Sequence, residues 1–422
     1  MATSGGHDLG LPVPAVHPAA EEQPGAHSTE SSDPEATGGF HLGYRRWLDG
    51  LRGLAILSVL AFHLGLLPGG SIGVDVFFVL SGFLITALLA EEWQRHGSIS
   101  LTAFYLRRGL RLLPAFLTLL LLVGLSGLWL PSAEDARARL SEVIVAGCYV
   151  ANWPTLHRTG MPILGHTWSL SVEEQFYLLW PILLYGMLRL KLSHRVILLL
   201  VCAAIISSAT LRMVLYDLHR SVGPEKAANV MRLYMGLDTR ADSLLVGCLV
   251  GLLASWNLLP RSRRFAFWVG VAALISLAAL SYLAWNRCLD HSQYYHGLFT
   301  AVALMVGAII VRLLSKPSRL ASLLLECSPL VSIGRVSYGL YLFHMPIIYC
   351  LNPAGLGWKH PGMTLLIAGL SAVAAFLSYY CIESPSLRLK DRLRQRPSVT
   401  PANASRAVER LDHEAVLPQK AA

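Results

Sequence analysis

Long apolar runs, broken by short polar stretches rich in Arg, dominate this chain. Eleven apolar segments run at about 52–70, 72–91, 110–130, 142–156, 173–190, 195–216, 238–257, 265–285, 295–314, 331–351 and 362–382. Most approach the ~20 residues that carry a helix across a ~30 Å hydrocarbon core. In lipid every backbone N–H and C=O must be satisfied within the protein, which leaves helices or a closed barrel. Runs of this length exclude barrel strands of ~10 residues. The pattern predicts an all-α, polytopic bundle. The segment 142–156 is short for a span.

The placement of basic residues settles how that segment is read. Arg45, Arg46 and Arg52 put the N-terminal end inside, and Arg107, Arg108 and Arg111 then follow the second span on the same side. If 142–156 does not cross, the Arg and Lys of the later loops (189–195, 261–264 and 312–319) and of the tail 388–396 also fall inside. If it crosses, all of them fall outside, against the positive-inside bias. The expectation is therefore ten transmembrane helices, with 142–156 a re-entrant or peripheral helix. Both termini are expected to be cytoplasmic. Residues 1–40 are polar and lack the basic and apolar regions of a signal peptide, so they read as a disordered cytoplasmic tail. The first span then serves as the insertion signal. Residues 41–390 form the membrane domain, and 391–422 a second disordered cytoplasmic tail.

Composition agrees: of 422 residues, 54% are hydrophobic and 14% charged, against about 25% charged in soluble domains. Mean hydropathy is +0.50. The net charge of +9 sits beside apolar runs, as in positive-inside loops, with no aromatic-basic interleaving, so no nucleic-acid partner is expected. The seven Cys are odd in number and mostly isolated in apolar surroundings, which argues against both a disulfide framework and a metal site. No internal repeat is evident, which weakens a transporter reading.

Ionisable groups inside apolar segments are candidates for function, because hydrocarbon penalises them. Arg52 and His63 are eleven residues apart, nearly three helical turns, so they share a face ~16 Å apart along the axis. Asp75 opens the second span. The alternative for the first two is a snorkelling Arg and a structural His. Arg108 and Arg111, at i and i+3, share a face and can grip phosphate, or else flank a span in the ordinary way. Pro114 is expected near the start of the third span. Glu173 and Glu174 stand at the outer end of the fifth span. Ser171 precedes Glu174 at capping-box spacing, so one of these carboxylates could cap the helix. Trp168, Tyr177 and Trp180 read as interfacial belt residues or as a sugar-stacking surface. Asp238 and Asp242 share a face and need a partner or a proton, in a structural network or an acceptor site. His344 falls at a depth similar to His63 and reads first as a structural hydrogen-bonder, with a catalyst or part of an acceptor site as the alternatives. Glu383 is expected to pair with a nearby Arg.

Together these motifs resemble the membrane acyltransferase-3 family, bacterial enzymes that O-acylate sugars, lipids and antibiotics. The likeness lies in Arg52…His63 followed by GVDVFFVLSGFLI at Gly73–Ile85, Arg108-x-x-Arg111, the stretch Gly165–Pro181, Asp238-x-Arg240-x-Asp242, Ile333–Ile347, and Glu383 with Pro385. It spans most of the chain. It implies O-acyl transfer from an acyl-CoA, acetyl-CoA being the expected donor, to a hydroxyl of a sugar, glycolipid or glycosylated metabolite. It also implies that Arg108 and Arg111 hold the donor's phosphates and that the protein lies in a bacterial inner membrane. No bound cofactor or metal is expected.

Such chemistry needs a base that is neutral near pH 7, which suits His. His63 is the expected general base, with an acyl-His intermediate as the competing mechanism. Arg52 is expected to orient the donor or balance its charge. Two other classes stand beside this reading. A transporter or flippase would move its cargo without consuming CoA. A catalytically silent membrane partner would tolerate His63→Ala.

Overall fold

The computed structural model describes residues 41–153, 161–221, 227–286, 291–315, 319–351, 361–386 and 388. The two expected tails, 1–40 and 391–422, lie outside the described residues. The described residues form an all-helical bundle: α1 (Arg46–His63), α2 (Gly73–His96), α3 (Leu101–Ser126), α4 (Ala133–Gly147), α5 (Trp168–Arg189), α6 (His194–Ser221), α7 (Ala227–Met235), α8 (Leu237–Ser255), α9 (Arg263–Trp285), the short turn α10 (His291–Gln293), α11 (Phe299–Ser315), α12 (Arg319–Leu325), α13 (Ser328–Arg335), α14 (Ser337–Leu351) and α15 (Pro361–Ser378).

Local chemistry sets several helix ends. Ser100, Ser132 and Ser262 cap α3, α4 and α9, their hydroxyls accepting from Ala103, Asp135 and Phe265 N–H. Gly97, at φ +65°, ends α2 in the left-handed conformation that a side chain disfavours.

Among the described residues six helices are long and apolar enough to cross a membrane: Gly70–His96, Leu101–Trp129, His194–Arg220, Arg263–Trp285, Tyr294–Ser315 and Pro361–Ser386. Four of the expected spans fall short for a chemical reason. α1 contains Arg46, Asp49 and Arg52; α5 contains Glu173, Glu174 and Arg189; α8 contains Asp238, Arg240 and Asp242; α14 has 15 residues. These helices carry most of the candidate site residues.

Burial separates core from periphery. The apolar window of α2 is 72% buried inside the protein, that of α9 11%. Leu117, Leu121 and Leu122 of α3, Phe267 and Trp268 of α9, and Leu365 and Leu377 of α15 face outward. Apolar surface of this extent on several helices suits contact with lipid.

Small residues let the core helices close. α2 and α8 pack so tightly that a Cβ on Gly82 would lie 1.9 Å from the Leu244 carbonyl oxygen, and one on Gly247 2.0 Å from that of Val79. Gly247 and Gly251 form a G-x-x-x-G pair, which brings backbones together in membrane bundles.

Three local expectations are corrected. The helix expected at 142–156 is α4, which starts at Ala133 and ends at Gly147. Its first half is polar, so an apolar window sees its second half alone. The expected 331–351 span is broken at Val336 between α13 and α14. Pro114 lies in the interior of α3, not near its start.

Candidate active site

α1, α2, α3, α5 and α14 enclose a cavity of about 150 Å³. Arg52, Arg108, Arg111, Glu173, Tyr177 and Tyr341 are among its walls. A second, more open cavity of about 410 Å³ lies against it, lined by Glu91, Glu92, Arg95, His96 and Arg107, and shares Arg108 and Arg111. The two arginines expected to hold phosphate therefore stand where one cavity meets the other.

Their surroundings differ. Arg108 is ion-paired to Glu174 at 2.8 Å and lies over the Tyr177 ring, 3.1 Å from its centroid. Arg111 makes no ion pair among the described residues. Arg52 donates to the Ser337 hydroxyl at 3.2 and 3.3 Å, with no carboxylate partner among the described residues. Glu173 accepts from the Ser81 hydroxyl at 2.9 Å. Two guanidiniums with no carboxylate of their own, on one cavity wall, favour an anionic occupant.

Ser169 and Tyr341 form another part of its wall. The Tyr341 hydroxyl donates to the His166 carbonyl at 2.7 Å, and Ser169 Oγ lies 2.5 Å from that hydroxyl. Behind this wall stand three imidazoles. His344 lies 5.6 Å from the Tyr341 ring, 5.0 Å from the His63 ring and 5.2 Å from the His166 ring, centroid to centroid. His63 does not itself line the cavity. It closes α1 and is half-buried. Among the described residues no group of three His, Cys, Asp or Glu has the geometry to hold a metal ion.

The helical spacing of Arg52 and His63 has a structural counterpart, since both face α14. Arg52 meets its first residue, Ser337, and His63 meets His344 two turns on. Hydrogen bonds fix the imidazole tautomers. His63 Nδ1 is 3.0 Å from the Val59 carbonyl, so Nδ1 carries the proton and Nε2 the lone pair. His166 Nε2 lies 3.2 Å from the Leu342 carbonyl. Pro346 explains why that oxygen is free: with no N–H, proline cannot close the helical bond to residue 342.

The remaining acidic candidates lie elsewhere. Asp75 accepts from Arg240 at 2.6 Å and from Ser243 at 3.2 Å. Asp242 pairs with Arg212 at 2.9 Å and with Thr300 at 2.5 Å. Asp75, Arg240, Arg212 and Asp242 are all buried, and Arg240 lies over the Phe299 ring at 3.7 Å. Asp238 pairs with Arg232 at 2.7 Å, apart from this network. None of the three aspartates lines either cavity.

Other expectations are corrected here. Thr167 holds the N-cap of α5, and Ser171 donates to the Thr167 carbonyl, so neither glutamate forms a capping box. Trp168, Tyr177 and Trp180 are buried between helices rather than set in an interfacial belt; Trp180 donates to Thr86 at 2.8 Å. Glu383 is bonded by Ser378 at 3.0 Å, with no ion pair among the described residues.

Sequence reasoning missed Arg212, Ser337 and His166. Arg212 interrupts an apolar run, and the cost of an intramembrane charge was signal enough to mark it. His166 lies within the stretch Gly165–Pro181 and left no separate mark.

Comparison with known proteins bears on this arrangement. The chain is 33% identical over 356 residues to the peptidoglycan O-acetyltransferase OatA of Listeria monocytogenes, covering 80% of this chain and 55% of that protein. It is 33% identical over 378 residues to a putative O-acetyltransferase of Staphylococcus aureus strain MSSA476, covering 85% and 60%. It is 32% identical over 354 residues to the O-acetyltransferase OatA of S. aureus strain NCTC 8325, covering 81% and 57%. The chain thus spans a little over half the length of these relatives. No solved structure matches it. The sequence model of the acyltransferase-3 family, described as an acyltransferase domain, matches residues 45–383, and the chain belongs to that family.

Proposed function

We propose that this protein is a multi-pass membrane O-acyltransferase. It moves an acyl group, acetyl by analogy with the relatives' names, from an acyl-CoA to a hydroxyl of a sugar, with a cell-wall glycan as the first acceptor to test. One observation carries the reading: His63 stands two rings from Tyr341, a wall residue of the cavity that Arg108 and Arg111 also line.

The roles follow from charge and access. Arg111, free of a carboxylate among the described residues, and Arg108 receive the phosphates of the donor at the junction of the two cavities. Arg52 balances the charge that develops as the thioester reacts. Because the Ser169–Tyr341 wall separates cavity from imidazoles, Tyr341 moves aside for the acyl group to meet His63. The half-buried face of His63 receives the acceptor hydroxyl, and its Nε2 takes the hydroxyl proton.

In the same reading ten helices cross a bacterial inner membrane: the six long apolar ones with α1, α5, α8 and α14. The charges on the last four face the protein interior, where other side chains solvate them. The Arg-rich end is cytoplasmic, as are both termini.

Proteoliposomes given labelled acetyl-CoA and a glycan oligosaccharide test the reading. The expected result is label in ester linkage on the sugar, with one CoA thiol released per ester. Movement of an acceptor without thiol release would identify a transporter instead.

A further inference from the structure

We propose that His344 is a positioning residue for His63, holding that ring in place and offering it a lone pair when it becomes protonated. The inference rests on the reading of His63 as the base.

Three observations carry it. The two rings are in contact, with centroids 5.0 Å apart and planes tilted by 56°. His344 Nδ1 lies 2.7 Å from the Tyr341 carbonyl, so that nitrogen carries the proton and Nε2 the lone pair. His344 is 1% exposed, and its Nε2 is buried without a hydrogen-bond partner among the described residues. A buried, unpartnered acceptor carries a standing cost, and such atoms call for an explanation. Here the explanation is a partner that exists during turnover: the imidazolium of His63.

The surroundings hold this ring still. His166 also packs against it, tied to the Leu342 carbonyl that Pro346 leaves free. Gly339 brings the α14 backbone against Ala375 of α15, where a Cβ would lie 3.2 Å from the Ala375 backbone. The tautomer of His344 is thus set before the reaction begins.

The step balances as follows. The acceptor oxygen forms a bond to the thioester carbonyl carbon, and its proton passes to His63 Nε2. His344 steadies the resulting cation through its own Nε2 lone pair, directly or across one water. The carbon–sulfur bond breaks, the CoA sulfur leaves as thiolate and takes the proton from His63. Ester, free CoA thiol and two neutral imidazoles remain.

The test uses the full-length protein in proteoliposomes with acetyl-CoA and the oligosaccharide. His344→Ala is expected to lower kcat about tenfold to hundredfold, with KM for acetyl-CoA within about twofold of wild type. His344→Gln, which keeps an acceptor oxygen, is expected to recover part of the loss. The double variant His63→Ala, His344→Ala is expected to be no slower than His63→Ala, because both residues act on one proton. Unchanged kcat in His344→Ala, a loss confined to KM, or losses that multiply in the double variant would each overturn the proposal. If His344→Ala misfolds, His344→Gln and His344→Asn give the same kcat and KM comparison. Turnover retained by His63→Ala would instead remove the reading on which it rests.

Discussion

At position 111 a guanidinium with no carboxylate partner among the described residues looks into both cavities, while three residues earlier Arg108 is held by Glu174 and Tyr177. Their similar place in the sequence hides different duties. Arg111→Ala is expected to raise KM for acyl-CoA about tenfold and leave kcat near wild type, as loss of one charged contact to the donor would. Initial rates across a range of donor concentrations measure this; a drop in kcat at unchanged KM would contradict it. Arg108→Ala also strands Glu174, so lower protein stability is expected along with weaker donor binding. At this scale the sequence was informative wherever helical spacing alone mattered. Arg52 and His63 share a face because eleven residues make nearly three turns, and both meet α14. It was uninformative about partners distant in the chain. Nothing local to Glu174 points to Arg108, 66 residues earlier, and nothing local to Asp75 points to Arg240.

Helices were legible as apolar runs, and their limits were not. Hydropathy marks residues that lipid or core accepts, so it lost the polar first half of α4 and ran through the break at Val336 between α13 and α14. What pairs the helices is smaller still. Gly247→Leu places a side chain where the Val79 carbonyl oxygen stands 2.0 Å away, and overpacking of this kind costs at least about 1–3 kcal/mol. A lower melting temperature and poor recovery from detergent extraction are the expected outcome; wild-type melting would contradict the close α2–α8 crossing. The buried ion network between α2, α6, α8 and α11 makes a second element-scale prediction. Asp75→Ala leaves the Arg240 charge uncompensated, at a cost of about 3–5 kcal/mol. Asp75→Leu with Arg240→Leu is expected to recover most of that loss, since replacing a whole buried pair by apolar groups is often close to neutral. Thermal unfolding in detergent compares the two. A double variant as unstable as the single one would mean that the pair does more than neutralise itself.

Across the whole molecule the charge-bearing α8 and the apolar α2 pack together inside, while other apolar helices lie towards the outside. α2 is buried among α1, α5, α8 and α11, whereas α9 shows most of its surface. The charges on α1, α5 and α8 keep these helices below the hydropathy of the six long apolar ones. In a membrane a functional side chain lowers the hydropathy of the helix that bears it. In the proposed topology, single cysteines placed on the α2–α3 turn near Ser98 are expected to react with membrane-impermeant maleimide from the cytoplasmic side. Those placed near Leu67, beyond the other end of α1, are expected to react from the outside. Equal labelling of both from one side would overturn the orientation.

The account as a whole depends on the imidazole at the end of α1. Single-turnover transfer from labelled acetyl-CoA by purified His63→Ala, set against wild type at saturating donor, tests it most directly. A loss of about a hundredfold or more, with donor binding and thermal stability unchanged, is the result this account predicts. Transfer at the wild-type rate would contradict it.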